Sequence, residues 1–320
     1  VFDGFAPPGF TSVSDAQVET FLRARFGGPV RGIERFGAGD WSQAYGFERD
    51  GEGYVARFSA LEEDFAKDRI AARYRSPGLP IPPLIEIGEA FGGFYALSER
   101  AYGRYLEETS AARMRALLPS LFGALDAARH VDLSALSGYG LWDAGSTAAH
   151  ATWQEALLDV ANDRPTARIH GWKERLAAAP IGPGPFEEGY GHLQALVAAC
   201  PEDRHLIHSD LLHANVLVEG ARITAVLDWG SSLYGDFLYD IAWFCFFAPW
   251  FPAWQEINFA REAARHYEAI GLAVPNFEQR LRCYQVHIGL DAQAYNAFRG
   301  SWAELALCAR RTLAVATPRP

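Results

Sequence analysis

No C-x-x-C pair occurs anywhere in the 320 residues, and Cys200, Cys245, Cys283 and Cys308 are widely separated. That scatter argues against a thiolate zinc site or a disulfide framework. It predicts buried free thiols in a reducing compartment, the cytoplasm. Basic charge is scarce: 29 Lys and Arg stand against 39 Asp and Glu, a formal net charge of -10. A general nucleic-acid binder needs a basic face, so none is expected here. A long apolar run is missing too. The greasiest stretch, residues 241–254, is shorter than a membrane span and holds Pro249 and Pro252, so it is expected inside the protein, with no membrane partner. The chain opens Val1-Phe2-Asp3, without a basic segment followed by an apolar one, and no signal peptide is expected. The absence of G-x-x-x-x-G-K-[ST] argues against a P-loop enzyme. There is no internal repeat.

What is present is ordinary globular composition, 49% hydrophobic and 21% charged, in a chain long enough for two packed lobes. Ser14 and Gln17 form a capping box ahead of an apolar helical face made by Val18, Phe21, Leu22 and Phe26, ending at Gly27. Strand-like runs follow at 31–36, 43–48 and 54–58, with Asp50-Gly51 as a hairpin turn. A helix is predicted over 61–74, an extended Pro-rich crossing over 79–83, and two more strands at 84–87 and 94–97. Beyond residue 106 helices are predicted at 111–129, 153–160, 166–178, 187–199, 236–247, 255–270, 277–290 and 302–314. A β-like interlude interrupts them from 205 to 229. A strand-rich part followed by a helix-rich part predicts an α+β, two-lobed fold with a cleft between the lobes. We expect residues 1–101 as the first lobe and 102–320 as the second.

The chemistry is concentrated in His208-Ser209-Asp210, then Asn215, then Asp228-Trp229-Gly230. A loop presents Asp210, and Asn215 opens a strand five residues later. A hairpin turning near Glu219-Gly220 brings Asp228 back beside Asn215. This reproduces, in order and context, the kinase pattern H-R-D-x-x-x-x-N followed by D-F-G. Phosphoryl transfer needs a divalent cation on the phosphates and a group that accepts the proton of the attacking hydroxyl. Asn215 and Asp228 suit Mg2+, which takes oxygen ligands, and Asp210 suits the base. No A-P-E follows Asp228, so a protein kinase is not expected. His205, His208 and His213 lack a fourth ligand for zinc; His208 is expected to pack beneath the loop.

Three weaker features agree. Gly37, Gly39 and Ser42 give G-x-G-x-x-S between two strands, a turn whose amides can face phosphates. Val55-Ala56-Arg57 occupies the place of V-A-I-K, with Arg57 as the phosphate-side cation. Its acidic partner on the next helix is expected to be Asp68, or else Asp64.

On these motifs the chain resembles the aminoglycoside phosphotransferase family over nearly its whole length. The resemblance implies a protein-kinase-like fold, ATP or GTP with Mg2+, and phosphorylation of a hydroxyl on a cationic aminoglycoside or aminocyclitol antibiotic. It implies Asp210 as base and Asn215 and Asp228 as metal ligands. It also implies that Ser98, Glu99, Arg100 and Ala101 meet the base of the nucleotide through their backbone. Ser209 stands where the broad family commonly has glycine. For a polycationic sugar, carboxylates and aromatic rings beyond Asp228 are the candidates: Asp236, Phe247, Trp250 and Asp291, with Asp240. Capping or holding the loop is the alternative role for Asp236 and Asp240. Two other readings differ in kind. One is a kinase for choline or an amino alcohol, with Trp243, Trp250 and Trp254 as a cation–π cage. The other is a catalytically silent nucleotide-binding protein.

Overall fold

Ser14 and Gln17 close the capping box at the start of α1 (Asp15–Phe26), which ends at Gly27 in the left-handed region, φ 60°. The computed structural model describes residues 13–27, 29–38 and 41–317. Strands β1 (Arg31–Ala38), β2 (Ser42–Arg49) and β3 (Glu52–Ser59) follow, then helix α2 (Glu62–Ala71) and strands β4 (Leu84–Ala90) and β5 (Gly93–Glu99). The five strands form one antiparallel sheet in the order β1-β2-β3-β5-β4. Asp50 and Gly51 both have positive φ, 55° and 85°, which suits the right-handed twist of the β2–β3 hairpin. Val18 and Leu22 of α1 pack with Tyr45, Phe47, Phe58 and Leu97 of the sheet into a small core.

The second core is larger and mainly helical. Its elements are β6 (Arg104–Tyr105), α3 (Ala111–Arg129), β7 (Tyr139–Trp142), β8 (Ala148–His150), α4 (Trp153–Leu158), α5 (Trp172–Ala178) and α6 (Gly184–Leu196). Then come β9 (His205–Ile207), β10 (Val216–Glu219), β11 (Arg222–Val226), β12 (Leu233–Gly235), α7 (Leu238–Phe247), α8 (Phe259–Ala269), α9 (Phe277–Arg299) and α10 (Trp302–Ala316). The result is the expected two-lobed α+β architecture of the protein-kinase-like type. Ile70 and Ala71 of α2, with Leu79 and Ile81 of the Pro-rich crossing, belong to this larger core rather than to the small one.

Several boundaries differ from the sequence reading, each for a local reason. The helix expected over 166–178 begins only at Trp172, because Asp163 draws the Gly171 and Lys173 amides into a turn ahead of it. The helix expected from 255 begins at Phe259, where the Asn258 side chain caps the Arg261 amide. Helix α9 runs on to Arg299 and stops at Gly300, φ 72°. Strands β6, β7, β8 and β12 were not foreseen; each has two to four residues, β7 and β8 pairing in a short hairpin while β6 and β12 pair with strands distant in the chain.

Asp236, expected as a substrate contact, is instead part of this core. It is fully buried and held bidentately by Arg280 at 2.7 and 2.8 Å, with Tyr284 and the Leu238 amide completing its shell. A buried carboxylate stripped of its partner costs about 3–5 kcal/mol, so this charge is committed to joining α7 to α9. All four cysteines are free. Among the described residues, no helix is long and apolar enough to cross a membrane.

Candidate active site

The loop from His208 to Asn215 is held from below by Asp240 of α7, whose two carboxylate oxygens accept the His208 and Ser209 amides at 3.0 and 2.8 Å. The Ser209 hydroxyl donates to the Ser231 carbonyl at 2.5 Å, tying the loop to the turn after Asp228. His208 is almost fully buried, and its ring meets Trp229 edge-on at 4.7 Å. Its Nδ1 accepts the Asp210 amide at 3.2 Å. The ring proton is therefore on Nε2, which donates to the Leu227 carbonyl at 2.7 Å. One neutral imidazole thus links the loop carrying Asp210 to the residue preceding Asp228, the bracing expected of it.

Asp210 faces its own loop. The His213 Nδ1 lies 2.8 Å from its Oδ1, and the Asn215 amide nitrogen donates to its carbonyl at 2.8 Å and to its Oδ2 at 3.1 Å. The Asn215 carbonyl accepts the Leu227 amide at 2.7 Å, one step beyond the Val216–Val226 pair of the β10–β11 hairpin. Asn215 and Asp228 therefore emerge side by side at one end of the ribbon. Ser209, His213, Ala214 and Asp228 all have positive φ, between 58° and 70°. Left-handed backbone at non-glycine residues costs energy and persists where surrounding contacts enforce it.

Helix α2 supplies the opposite wall. Asp68 pairs with Arg57 of β3, as expected, and also accepts the Trp229 amide at 2.7 Å. Burial opposes the Arg57 charge, but Asp68 and Asp228 outweigh it and raise its pKa. Lys67, fully buried, donates to the Gly230 and Ser232 carbonyls at 2.7 and 3.2 Å and lies 4.6 Å from the centre of the Trp142 ring. Burial pulls its pKa down to about 7, against the pull of Asp64 and Glu63. Asp64 pairs not with Arg57 but with Arg168, which arrives from the segment ahead of α5. A Cβ on Gly230 would stand 2.7 Å from Asp64 Oδ1, so only glycine admits this approach. Asp228 feels the crowding: desolvation first, then Asp68, Asp64 and Asp210, push its pKa up to about 7 in spite of Arg57.

These groups border a cleft of about 590 Å³ between the lobes. Ser42, Arg57, Asp68, Asn215 and Asp228 line it, as do the linker residues Ser98, Glu99, Arg100 and Ala101. The Glu99 and Arg100 amides are already bonded, to the Pro83 and Gly53 carbonyls at 3.1 and 2.9 Å. Gly37 falls in β1, whereas Gly39 lies outside the described residues.

On the other side of the loop, the Phe247 ring packs edge-on against His213 at 5.7 Å and against Trp250 at 5.6 Å. Asp291 of α9 faces solvent, yet the surrounding protein and then the Asp210 charge push its pKa up to about 6. The Tyr239 hydroxyl and His287 Nδ1, 2.9 Å apart, join α7 to the turn of α9 below Asp291. The imagined tryptophan cage does not form. Trp254 is fully buried with its indole N–H on the Thr109 carbonyl, and Trp243 is packed against Phe247. Sequence reasoning missed Lys67, Arg168 and also Glu107, whose Oε1 accepts the Ala214 amide at 2.9 Å and whose pKa is raised by burial. It lies 107 positions from its partner, so no local motif announces it.

The sequence pattern of the phosphotransferase enzyme family matches residues 33–279. The hygromycin-B 4-O-kinase of Escherichia coli is 32% identical over 289 residues, 89% of this chain and 79% of that protein. A thermostable mutant of aminoglycoside phosphotransferase APH(4)-Ia, solved as a ternary complex with AMP-PNP and hygromycin B, superposes with a TM-score of 0.82 at 30% identity, covering 93% of this chain and 97% of that one. A further structure of APH(4)-Ia also gives a TM-score of 0.82 at 30% identity, with coverage of 95% and 98%. Spectinomycin phosphotransferase, at 12% identity and a TM-score of 0.62, shares the fold. Sequence and site together establish that the chain is a phosphotransferase and belongs to the aminoglycoside phosphotransferase family.

Proposed function

We propose that this phosphotransferase moves the terminal phosphoryl group of ATP or GTP to a hydroxyl of hygromycin B or a closely similar cationic aminocyclitol. The observation that carries this reading is the convergence of Asp210, Asn215 and Asp228 at one end of the hairpin, facing Arg57 and Asp68. The first lobe, residues 1–101, would hold the nucleotide, and residues 102–320 the base and the acceptor. Four free thiols favour a reducing compartment, the cytoplasm.

The donors fit magnesium. Asp228 is a carboxylate raised first by burial and then by Asp68, Asp64 and Asp210, a charge excess that a divalent cation relieves. Asn215 gives its N–H to Asp210, which leaves the carboxamide oxygen for the ion. Among the described residues no group of three or more His, Cys, Asp or Glu can hold a metal alone, in keeping with an ion that completes its shell from phosphates and water. Bound there, magnesium neutralises charge on the outer phosphates. Arg57 adds a fixed cation held in place by Asp68. Asp210, fixed by Asn215 and His213, orients the acceptor hydroxyl and takes its proton. The hydroxyl oxygen bonds to the terminal phosphorus as the bridging oxygen leaves with the nucleoside diphosphate. Phe247 and Trp250, two rings inclined at 63° to each other, offer apolar faces to a sugar ring, and Asp291 a counter-charge to its ammonium groups. Mass spectrometry of hygromycin B incubated with protein, ATP and magnesium is expected to show a gain of one phosphate. An unchanged antibiotic alongside a phosphorylated amino alcohol would overturn the acceptor.

Asp291 gives this reading a pH signature. Its carboxyl, raised to about 6, is charged above that pH and neutral below it. The acceptor KM is therefore expected to rise as pH falls through 6. Asp291→Asn should show the high KM at every pH, and a variant that kept the wild-type profile would remove Asp291 from acceptor binding.

A further inference from the structure

At the outer edge of the cleft, away from Asp210, Arg100 makes contacts that phosphoryl transfer does not require. Its guanidinium lies 4.7 Å from the centre of the Phe36 ring on β1 and 5.0 Å from that of Tyr102 on the linker. It also pairs with Glu34 of β1. Phe36, Arg100 and Tyr102 all line the cleft. The sheet beneath them lacks side chains where the stack lies. A Cβ on Gly46 would stand 2.3 Å from Phe36 Cζ and 3.1 Å from Arg100 Nη1, and one on Gly53 2.2 Å from the Tyr102 hydroxyl. Two bare positions on β2 and β3 thus make room for the three-residue stack.

The backbone around the stack is fixed at both ends. The Arg100 amide donates to the Gly53 carbonyl of the first lobe, and the Tyr102 carbonyl accepts the Thr224 hydroxyl of β11 in the second at 2.7 Å. Side-chain contacts from Arg100 therefore reach β1, while Tyr102, two residues on, is anchored below.

We propose that Arg100 is a positioning residue for the nucleotide: by stacking on Phe36 and pairing with Glu34 it fixes β1 against the interlobe linker, and so sets the width of the cleft where the nucleoside enters. The inference rests on reading the cleft as the nucleotide site. The Arg100 side chain is engaged by Phe36, Tyr102 and Glu34, while Asp210 is held by His213 and Asn215 within its own loop, so loss of the guanidinium is expected to act on nucleotide affinity and not on the chemical step. Two cation–π contacts of this exposure set a ceiling of about tenfold on the change in nucleotide affinity.

The test compares wild type, Arg100→Ala and Gly46→Ala. The second variant keeps the arginine and displaces the stack from beneath. Calorimetric Kd for AMP-PNP with magnesium and the nucleotide KM are expected to rise by up to about tenfold in both. Turnover at saturation and acceptor KM should stay close to wild type, while the melting temperature falls by no more than a small amount as the stack is lost or displaced. Unchanged Kd in both variants, with wild type binding AMP-PNP, would overturn the positioning role alone. Equal losses in kcat, both KM values and melting temperature would show general damage and overturn it too. A wild-type protein that binds no AMP-PNP would sink the nucleotide site together with the inference.

Discussion

Replacing Asp210 with alanine is expected to lower turnover by about 10²- to 10⁴-fold, the range of a positioned general base, while Mg-nucleotide affinity changes by no more than about twofold. The separation follows from geometry. Asp210 is oriented by His213 and Asn215 from within its own loop, and the cleft proposed for the nucleotide is lined by Asn215 and Asp228. Asp210→Asn sharpens the comparison, since it preserves size and much of the hydrogen bonding but cannot accept the proton. Single-turnover measurements with saturating nucleotide would report the chemical step directly. Wild-type rates in both variants would remove Asp210 from the mechanism.

Asp228→Ala acts on the other half of the site, and its expected result is a loss of magnesium dependence. Outer-sphere partners of a metal are already worth about 10- to 100-fold in affinity, so removal of a direct ligand is expected to weaken Mg-nucleotide binding by more than about 100-fold. Without magnesium the order should reverse. The Asp228 carboxylate repels a bare triphosphate, so the variant should bind metal-free nucleotide at least as well as wild type. The wild-type advantage is also expected to shrink as pH falls below 7, where a proton occupies the carboxyl raised to about 7. Calorimetry with and without magnesium across that range reads all of this. Equal stimulation by magnesium in variant and wild type would break the metal assignment.

Much of this site was legible before any coordinates because its parts are local. Asp210 and Asn215 are five residues apart, and the β10–β11 hairpin that returns Asp228 announces itself through two short apolar runs, 216–218 and 223–227, around a turn at Gly220, φ 59°. Helix α3 was legible too, with the expected range 111–129 matching the observed one; in the structure the Ser110 side chain caps it. What sequence could not show is held by distance. Lys67 meets Gly230 across 163 positions, Asp64 meets Arg168 across 104, and Glu107 meets Ala214 across 107. Nothing in the neighbourhood of any one of them marks it as part of the site. Asp236 failed differently. Its residue type fitted a cationic ligand, but Arg280, which claims it, lies on a helix 44 positions away.

Helix α2 belongs to the first lobe by order along the chain and to the second by what it grips. Its Lys67 and Asp68 hold the backbone of 229–232, and Ile70 and Ala71 are sealed into the larger core. A chimera that exchanges nucleotide lobes between relatives at the linker would therefore separate a buried ammonium from the carbonyls that solvate it. Because Asp68 also pairs with Arg57 of β3, an exchanged α2 must match both the sheet it arrives with and the turn that follows Asp228.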